Sequence, residues 1–213
     1  MDTITSFFQY LVNNRTELLE LTYDHILMVL IGMASAIVIG VLLGIISTKS
    51  DKLASVILAV ANIIQVFPSL ALLAVLMLFF GLGFTTVVIG LFLYALLPII
   101  RNTYVGLKEV DENILEAGKG VGMSPLQLLF KVKLPLSLPF LLAGIRIAVV
   151  ISVGVATLAP FIGGDGLGKI IYSGINLRDP MKIYSGAIIA AILAIFADYL
   201  LGKAQNKLEK TNS

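Results

Sequence analysis

Long stretches without a charged side chain are the feature of this chain that most restricts its fold. Two of them, Ile26–Ile46 and Leu53–Phe84, contain only uncharged residues. Charged residues make up 13% of the sequence, against roughly 25% in a soluble domain, and they are concentrated between these stretches. A helix of about 20 apolar residues crosses the roughly 30 Å of hydrocarbon in a bilayer. The pattern therefore predicts an all-α membrane protein that crosses the bilayer several times.

We predict five transmembrane helices. The second uncharged stretch is too long for one upright helix and too short for two, and Pro68 divides it. We interpret it as one long, tilted or kinked helix from about Leu53 to Phe80, followed by a tight turn at Gly81-Leu82-Gly83. The five predicted spans are Ile26–Ile46, Leu53–Phe80, Thr85–Ile100, Phe140–Ala159 and Ile183–Leu201.

Lysine and arginine residues indicate the orientation of these spans. With five spans, ten of the basic residues counted fall on one side of the membrane and four on the other. Because basic residues are retained on the cytoplasmic side, we expect the N-terminus outside and the C-terminus in the cytoplasm. Dividing the second stretch at Pro68 would give six helices and, at best, nine against five. The cytoplasmic set is Lys49, Lys52, Arg101, Lys108, Lys119, Lys131, Lys133, Lys203, Lys207 and Lys210, and the external set is Arg15, Lys169, Arg178 and Lys182.

The chain divides into three predicted parts. Residues 1–23 contain no span, but their apolar residues recur at helical spacing, which predicts an interfacial helix on the outer leaflet. Residues 24–201 form the transmembrane domain, and a polar loop at 107–136 lies on its predicted cytoplasmic side. Residues 202–213 are predicted to be a solvated cytoplasmic tail. The apolar stripe of the N-terminal helix is Ile4, Phe7, Phe8, Leu11 and Val12.

The polar loop contains the most specific motif in the chain. Residues 116–135 read EAGKGVGMSPLQLLFKVKLP. The spacing resembles the EAA loop of the permease subunits of ABC importers, written EAA-x3-G-x9-I-x-LP. In that family the loop forms a short cytoplasmic coupling helix that sits in a groove of an ATPase subunit. The resemblance implies an ATPase-coupling role for Glu116, Ala117, Gly118, Gly122, Gln127, Val132, Leu134 and Pro135.

Local signals define the expected coupling helix. Ser124-Pro125 is typical of an N-cap followed by proline at the first helical position. Gly122 permits close approach of a partner or an unusual backbone angle, and we expect Pro135 to stop the helix before the next span. Gly118 replaces the second alanine of the family motif, which puts a flexible residue at the start of the helix.

The resemblance extends over roughly residues 20 to 200. The stretches NIIQVFPSLALLAVL, LYALLPIIRNTYVGLKEVD and IRIAVVISVGVATLAPFIGGDGLGKIIYSGI look like corresponding stretches of the permeases that import glycine betaine, carnitine and choline. The resemblance implies the fold of a type I ABC permease and a multi-pass subunit of a bacterial cell membrane. It implies that this subunit forms the translocation path of an importer of compatible solutes under osmotic stress.

The same resemblance implies a set of partners. Two cytoplasmic ATPases would bind ATP and Mg²⁺, so this chain would hold no cofactor and would not be an enzyme on its own. A second permease subunit, either a copy or a homologue, and an external solute-binding protein would complete the importer, and a net charge of +2 does not suggest nucleic acid. Three alternatives stay open. One is an ABC permease for methionine-like or other small solutes. The second is an ion-coupled secondary transporter, for which the sequence shows neither repeats nor a mid-membrane carboxylate. The third is a membrane-embedded enzyme, for which one His, no Cys and no paired intramembrane carboxylates supply little chemistry.

Polar residues inside the predicted spans are candidates for the translocation path. Asn62 and Gln65 lie one helical turn apart near Pro68 and either bond to a neighbouring helix or line a passage. Arg146 lies about six residues from the cytoplasmic start of its helix. It either anchors that helix by reaching the membrane surface or contacts the solute, and Asp198, on the same side, could pair with it.

Two further patterns predict no additional site. Residues 163–170 read GGDGLGKI, which nearly matches a P-loop, but Ile170 replaces the hydroxyl residue that would bind Mg²⁺. The predicted topology puts this segment outside, where we expect a flexible turn that meets the solute-binding protein. His25, the single histidine, has no second ligand at metal spacing and is interpreted as a residue at the boundary of the first span. We therefore predict no metal site and no catalytic residues.

Overall fold

The apolar stretches fold as helices because a helix satisfies its own backbone hydrogen bonds where no water is available. The computed structural model describes residues 3–212, and every regular element among them is helical. A π-helical turn at Leu129–Lys133 precedes α8, and a 3-10 turn at Ala159–Ile162 follows it. The α-helices are α1 (Thr3–Asn13), α2 (Arg15–Ser47), α3 (Asp51–Val66), α4 (Ser69–Phe80), α5 (Phe84–Lys108), α6 (Glu112–Gly120), α7 (Pro125–Leu128), α8 (Leu134–Ala156), α9 (Leu167–Leu177) and α10 (Pro180–Asn212).

Within residues 3–212, four helical stretches are long and apolar enough to cross a membrane: α2, α5, the stretch from Pro125 to Ala156, and α10. The pair formed by α3 and α4 meets the same criterion only when it is counted as one broken span. The count is therefore four spans, or up to five. The all-helical membrane architecture predicted from the sequence is confirmed at this level.

The second predicted span differs most from the prediction. It is not one tilted or kinked helix, because α3 ends at Val66, α4 begins at Ser69, and the two axes differ by 99°. Pro68 has no backbone N–H to continue the hydrogen bonds of α3. It also disfavours a helical conformation for the residue before it, and Phe67 accordingly has φ −58° and ψ 133°.

The helices at the two ends of the chain have other bounds than the sequence predicted. Residues 1 and 2 of the predicted N-terminal helix over residues 1–23 lie outside the described residues. The rest of this segment is two elements, because α1 ends at Asn13 and α2 already begins at Arg15. The predicted tail over residues 202–213 continues α10 as far as Asn212. Charged residues end an apolar stretch, but Glu, Lys and Arg are good helix formers and do not end the helix.

The packing core lies around α5, which contacts α2, α3, α4 and α8. The face of α2 toward α5 carries a small residue at every fourth position: Gly32, Ala36, Gly40 and Gly44. A Cβ atom added at position 44 would lie 2.5 Å from the Cβ atom of Thr103. Such close approach of two backbones is typical of helix pairs in membranes.

His25 is a core residue and not the boundary residue that the sequence suggested. It is fully buried, and its Nε2 lies 3.2 Å from the carbonyl oxygen of Val153 in α8. His25 lies 10 residues after the start of α2 at Arg15, and it is therefore inside the bundle.

The bundle has two distinct ends. The end that carries α6 and α7, called the loop end below, also has an ion pair between Lys108 and Asp51 with an N–O distance of 3.4 Å. At the opposite end, two turns are joined where the backbone N–H of Gly83 donates to the carbonyl oxygen of Ile162 at 2.8 Å. This bond links the start of α5 to the segment that follows α8.

Candidate functional site

The motif-bearing loop folds into a small helical unit, the α6–α7 knob (residues 112–133). Its central turn ends α6 with two backbone hydrogen bonds: Met123 N–H donates to the Gly118 carbonyl at 3.0 Å, and Gly122 N–H donates to that of Lys119 at 2.9 Å. This arrangement is a Schellman motif, in which the residue after the C-cap adopts a left-handed conformation. Gly122 occupies that position with φ +81°, so the motif glycine terminates α6.

The first turn of α7 is capped as the sequence predicts. The backbone N–H of Gln127 donates to Ser124 Oγ at 3.3 Å, and the backbone N–H of Ser124 donates to Gln127 Oε1 at 2.8 Å. Pro125 occupies the first helical position, where no N–H is needed. The reciprocal bonds form a capping box, which gives Gln127 a structural partner within α7.

Gly118 has a packing role. It is buried, and a Cβ atom at this position would lie 2.6 Å from Cδ1 of Leu128 and 3.3 Å from Sδ of Met123. The departure from the family alanine therefore makes room for Leu128, which is only 7% exposed. The contact between Gly118 and Leu128 holds α6 against α7.

Apolar side chains project from the surface of the knob. Val121 is 81% exposed, Leu126 is 68% exposed and Phe130 is 62% exposed. Glu116 and Ala117 are also exposed. Sequence reasoning gave no site role to Val121 or Leu126. The signal that could have found them is the presence of large apolar residues in a loop that is too short to have a core of its own.

The knob is directly continuous with a membrane-spanning helix. The prediction that Pro135 stops the coupling helix is wrong, because the helical stretch runs from Pro125 to Ala156 and Pro135 lies in the first turn of α8. A proline ring normally clashes with the carbonyl group four residues earlier. The π-helical turn just before it widens the backbone spiral, and the N–H of Leu134 donates to Leu129 O, five residues earlier. Val132 and Leu134 are half-buried along this stretch.

The candidate path residues do not form one cluster. Asn62 and Pro68 are exposed and Gln65 is half-buried, all at or near the break between α3 and α4. Arg146 lies instead at the contact between α8 and α10. Its Nε donates to Asp198 Oδ1 at 2.5 Å and its Nη2 to Oδ2 at 2.8 Å.

The two-pronged ion pair lines a cavity of about 450 Å³. The side chains of Arg146 and Asp198 are 37% and 39% exposed, and Gly202 leaves room for the guanidinium group. The other lining residues come from α8 and α10: Ala143, Ile147, Val150, Ile151 and Gln205.

The segment that resembles a P-loop is arranged unlike a phosphate site. It follows a 3-10 turn rather than a strand, and Ile170 is buried in the core. The Lys169 ammonium is paired with Asp165, and this hydrogen bond raises the pKa of Lys169. Among residues 3–212, no group of three or more His, Asp or Glu side chains is placed to hold a metal ion.

Comparisons with known proteins give one consistent family. Residues 36–210 match the family described as binding-protein-dependent transport system inner membrane component. The chain is 46% identical over 200 residues to the choline transport system permease protein OpuBB of Bacillus subtilis (strain 168), covering 94% of this chain and 92% of that protein. It is 44% identical over 209 residues to the carnitine transport permease protein OpuCD of Listeria monocytogenes serotype 1/2a (strain 10403S), covering 98% and 94%.

Solved structures give the same fold. The MetNI methionine ABC transporter in an inward-facing conformation contains a chain with a TM-score of 0.82 and 22% identity, covering 90% of this chain and 95% of that chain. An amino acid ABC transporter contains a chain with a TM-score of 0.77 and 16% identity, covering 94% and 98%. At these identities the likeness concerns the fold alone.

Proposed function

The chain belongs to the family of binding-protein-dependent transport system inner membrane components, and on that premise we propose that it is the permease subunit of an ATP-driven importer of quaternary ammonium osmoprotectants. The names of its relatives support this class of solute, since they specify choline, carnitine and glycine betaine. The subunit forms part of a translocation path and makes or breaks no covalent bond. ATP and Mg²⁺ bind a partner chain.

The observation that carries the proposal is the exposed apolar surface of the α6–α7 knob. Val121, Leu126 and Phe130 project from a unit at one end of the spans, and large exposed apolar side chains of this kind mark a protein–protein contact. In the proposed complex this surface docks into the ATPase. The knob is then cytoplasmic, which agrees with the basic residues around it and puts the N-terminus outside.

The proposed importer gives this subunit four kinds of partner. Two cytoplasmic ATPase subunits bind the knobs of two permease subunits, which are copies or homologues of one another. A solute-binding protein delivers cargo at the opposite end of the bundle, near the turn that contains Gly83. Lipid surrounds the spans, and α1 lies on the outer leaflet with Ile4, Phe8 and Val12, all more than half exposed, directed into it.

The break between α3 and α4 supports a path along this face. It lies beside Tyr94, which is 10 residues, or about 15 Å, from the start of α5. Non-helical backbone at that depth is tolerated only inside protein or beside water, not against lipid. Phe67 and Pro68 are nevertheless exposed in the single chain. The face that carries Asn62 and Gln65 therefore lines a water-filled passage or meets the second permease subunit.

The Arg146–Asp198 pair lines a separate cavity between α8 and α10, which we place on the cytoplasmic part of the path. Charged side chains in a span face a water-filled cavity or the interior of a bundle, and both members of this pair are more than one-third exposed. The surrounding cavity is wide enough for a small solute with its water. The ion pair compensates its own charge, which suits a path for cations and zwitterions.

In the proposed mechanism, α8 transmits the displacement of the knob to the translocation path. Closure of the ATPases on ATP displaces the knob, and the helix that begins at Pro125 carries this displacement through the membrane to Ala156. The ion pair links α8 to α10, so the two helices move together. The cavity then changes from inward-open to outward-open and receives the solute.

Competition for uptake tests the proposed solutes. The complex of permease, ATPases and binding protein is reconstituted in proteoliposomes, and ATP-dependent uptake of labelled choline is measured. We expect glycine betaine and carnitine to compete and methionine not to compete. Inhibition by methionine alone would favour the alternative of a methionine-like solute, and uptake driven by an ion gradient without ATP would favour a secondary transporter.

A further inference from the structure

The hydroxyl group of Tyr94 holds the break between α3 and α4. Tyr94 is 5% exposed, and its hydroxyl donates a hydrogen bond to the carbonyl oxygen of Phe67, directly before Pro68. In a continuous helix that carbonyl would accept a bond from the N–H of Ala71, and the 99° bend removes this partner. Tyr94 therefore supplies the donor for a backbone acceptor at membrane depth, where an unsatisfied carbonyl is costly.

A second contact attaches α4 one turn away on the same face of α5. Leu73 of α4 is fully buried, and a Cβ atom added at Gly90 would lie 2.4 Å from its Cδ2 atom. Positions 90 and 94 differ by four residues and so share a helix face. The α3–α4 break thus packs against α5 through two contacts. One is the polar contact of Tyr94 with Phe67 at the break, and the other is the apolar contact of Leu73 with Gly90 along α4.

We propose that Tyr94 is a positioning residue whose hydroxyl sets the angle between α3 and α4 and thereby shapes the solute path at mid-membrane. It acts through Phe67 and does not touch the solute, because its ring is buried between helices. The inference rests on the proposed path along the α3–α4 face. It adds the residue that fixes the geometry of that path.

The absence of cysteine from the chain allows a clean spectroscopic test. A spin label on Val66→Cys, the exposed last residue of α3, reports on the mobility and water accessibility of the break in the assembled complex. We compare Tyr94→Phe, which removes only the hydroxyl, with Tyr104→Phe, a half-buried tyrosine nearer the loop end of the same helix. Gly90→Ala disturbs the second contact and should move the label as well.

We expect Tyr94→Phe to change the spectrum of the label and to lower choline uptake about three- to tenfold, as loss of one hydrogen bond allows. The ATPase activity without solute should stay at its original rate, because the knob is remote from the break. Tyr104→Phe should change none of these quantities.

Two results would overturn the inference. An unchanged label spectrum in Tyr94→Phe would mean that the hydroxyl does not position the break, even if the melting temperature falls. A changed spectrum with unchanged uptake would mean that the angle does not shape the path. Failure of the unsubstituted complex to take up choline, betaine or carnitine would instead contradict the proposed function, and the comparison of label spectra would still decide the role of Tyr94.

Discussion

At position 122 the requirement for glycine comes from the backbone. The residue has φ +81°, and a Cβ atom there would meet no atom of residues 3–212 within 4 Å. An L-residue in the left-handed conformation costs roughly 1–2 kcal/mol, with Asn the mildest case. Steric crowding by the described residues therefore does not explain the glycine at position 122. The left-handed backbone conformation of the turn explains it.

Because the backbone conformation is the constraint at position 122, we predict different effects for Gly122→Val and Gly122→Asn. The β-branched valine should destabilise the end of α6 by about 1–2 kcal/mol. Asparagine tolerates the left-handed conformation and should destabilise it by only about a few tenths of a kcal/mol. Hydrogen exchange of the segment 116–128 in the complex, measured beside ATP-driven uptake, should show faster exchange and lower uptake for valine only. Gly120→Ala is the matched control, since position 120 is helical and open. Equal loss of uptake in the asparagine variant would show that the ATPase surface excludes any side chain there.

Gly118 presents the opposite case, because its neighbours leave no space. Alanine would meet the end of the flexible Leu128 side chain, and its better helix propensity of about 0.5–1 kcal/mol offsets a small displacement, so we expect Gly118→Ala to be nearly neutral. Gly118→Ile should lower stability by about 1–3 kcal/mol through overpacking, and Leu128→Ala in the same chain should recover part of it. Thermal unfolding of the two single variants and the double variant measures this coupling. Strict additivity would mean that the two residues do not contact.

At the level of helices, two features connect the knob with the membrane-spanning helices, one at the start of α8 and one between α8 and α10. The π-helical turn lets Pro135 enter α8 without interrupting it, and the Arg146–Asp198 ion pair joins α8 to α10. Removing one partner of a fully buried pair costs 3–5 kcal/mol, while replacing both partners by apolar residues is often neutral. Partial exposure of this pair reduces the first figure.

We therefore predict that Arg146→Leu and Asp198→Leu each lower the melting temperature of the complex, because each leaves one charge of the pair without its partner, and that the double variant recovers most of the loss. Choline uptake by the double variant should remain low, because the cavity beside the path has lost its charged lining. Normal uptake by the stable double variant would assign the pair to structural anchoring alone.

At the level of the whole molecule, sequence reasoning succeeds where a local rule decides and fails where a tertiary contact decides. Apolar stretches locate the spans, and Ser124-Pro125 locates the start of α7, because both rest on nearby residues. The angle at Pro68 could not be predicted, since it depends on Tyr94, 26 residues further along the chain. The continuity of α8 through Pro135 depends on a widened turn that has no simple sequence signal. Val121 and Leu126, for which we propose a docking role, are large apolar residues in a short loop, and their exposure in the structure separates them from the buried Leu128.

The central claim is that the α6–α7 knob is cytoplasmic and transmits the work of an ATPase to this subunit. The most direct measurement places a single cysteine at the exposed Gln127 and a second in the groove of the partner ATPase, in membranes that contain the assembled importer. The account predicts a disulfide crosslink that stops ATP-driven uptake and is reversed by a reducing agent. Labelling of residue 127 by a membrane-impermeant maleimide from outside intact cells, or uptake unaffected by a complete crosslink, would contradict it.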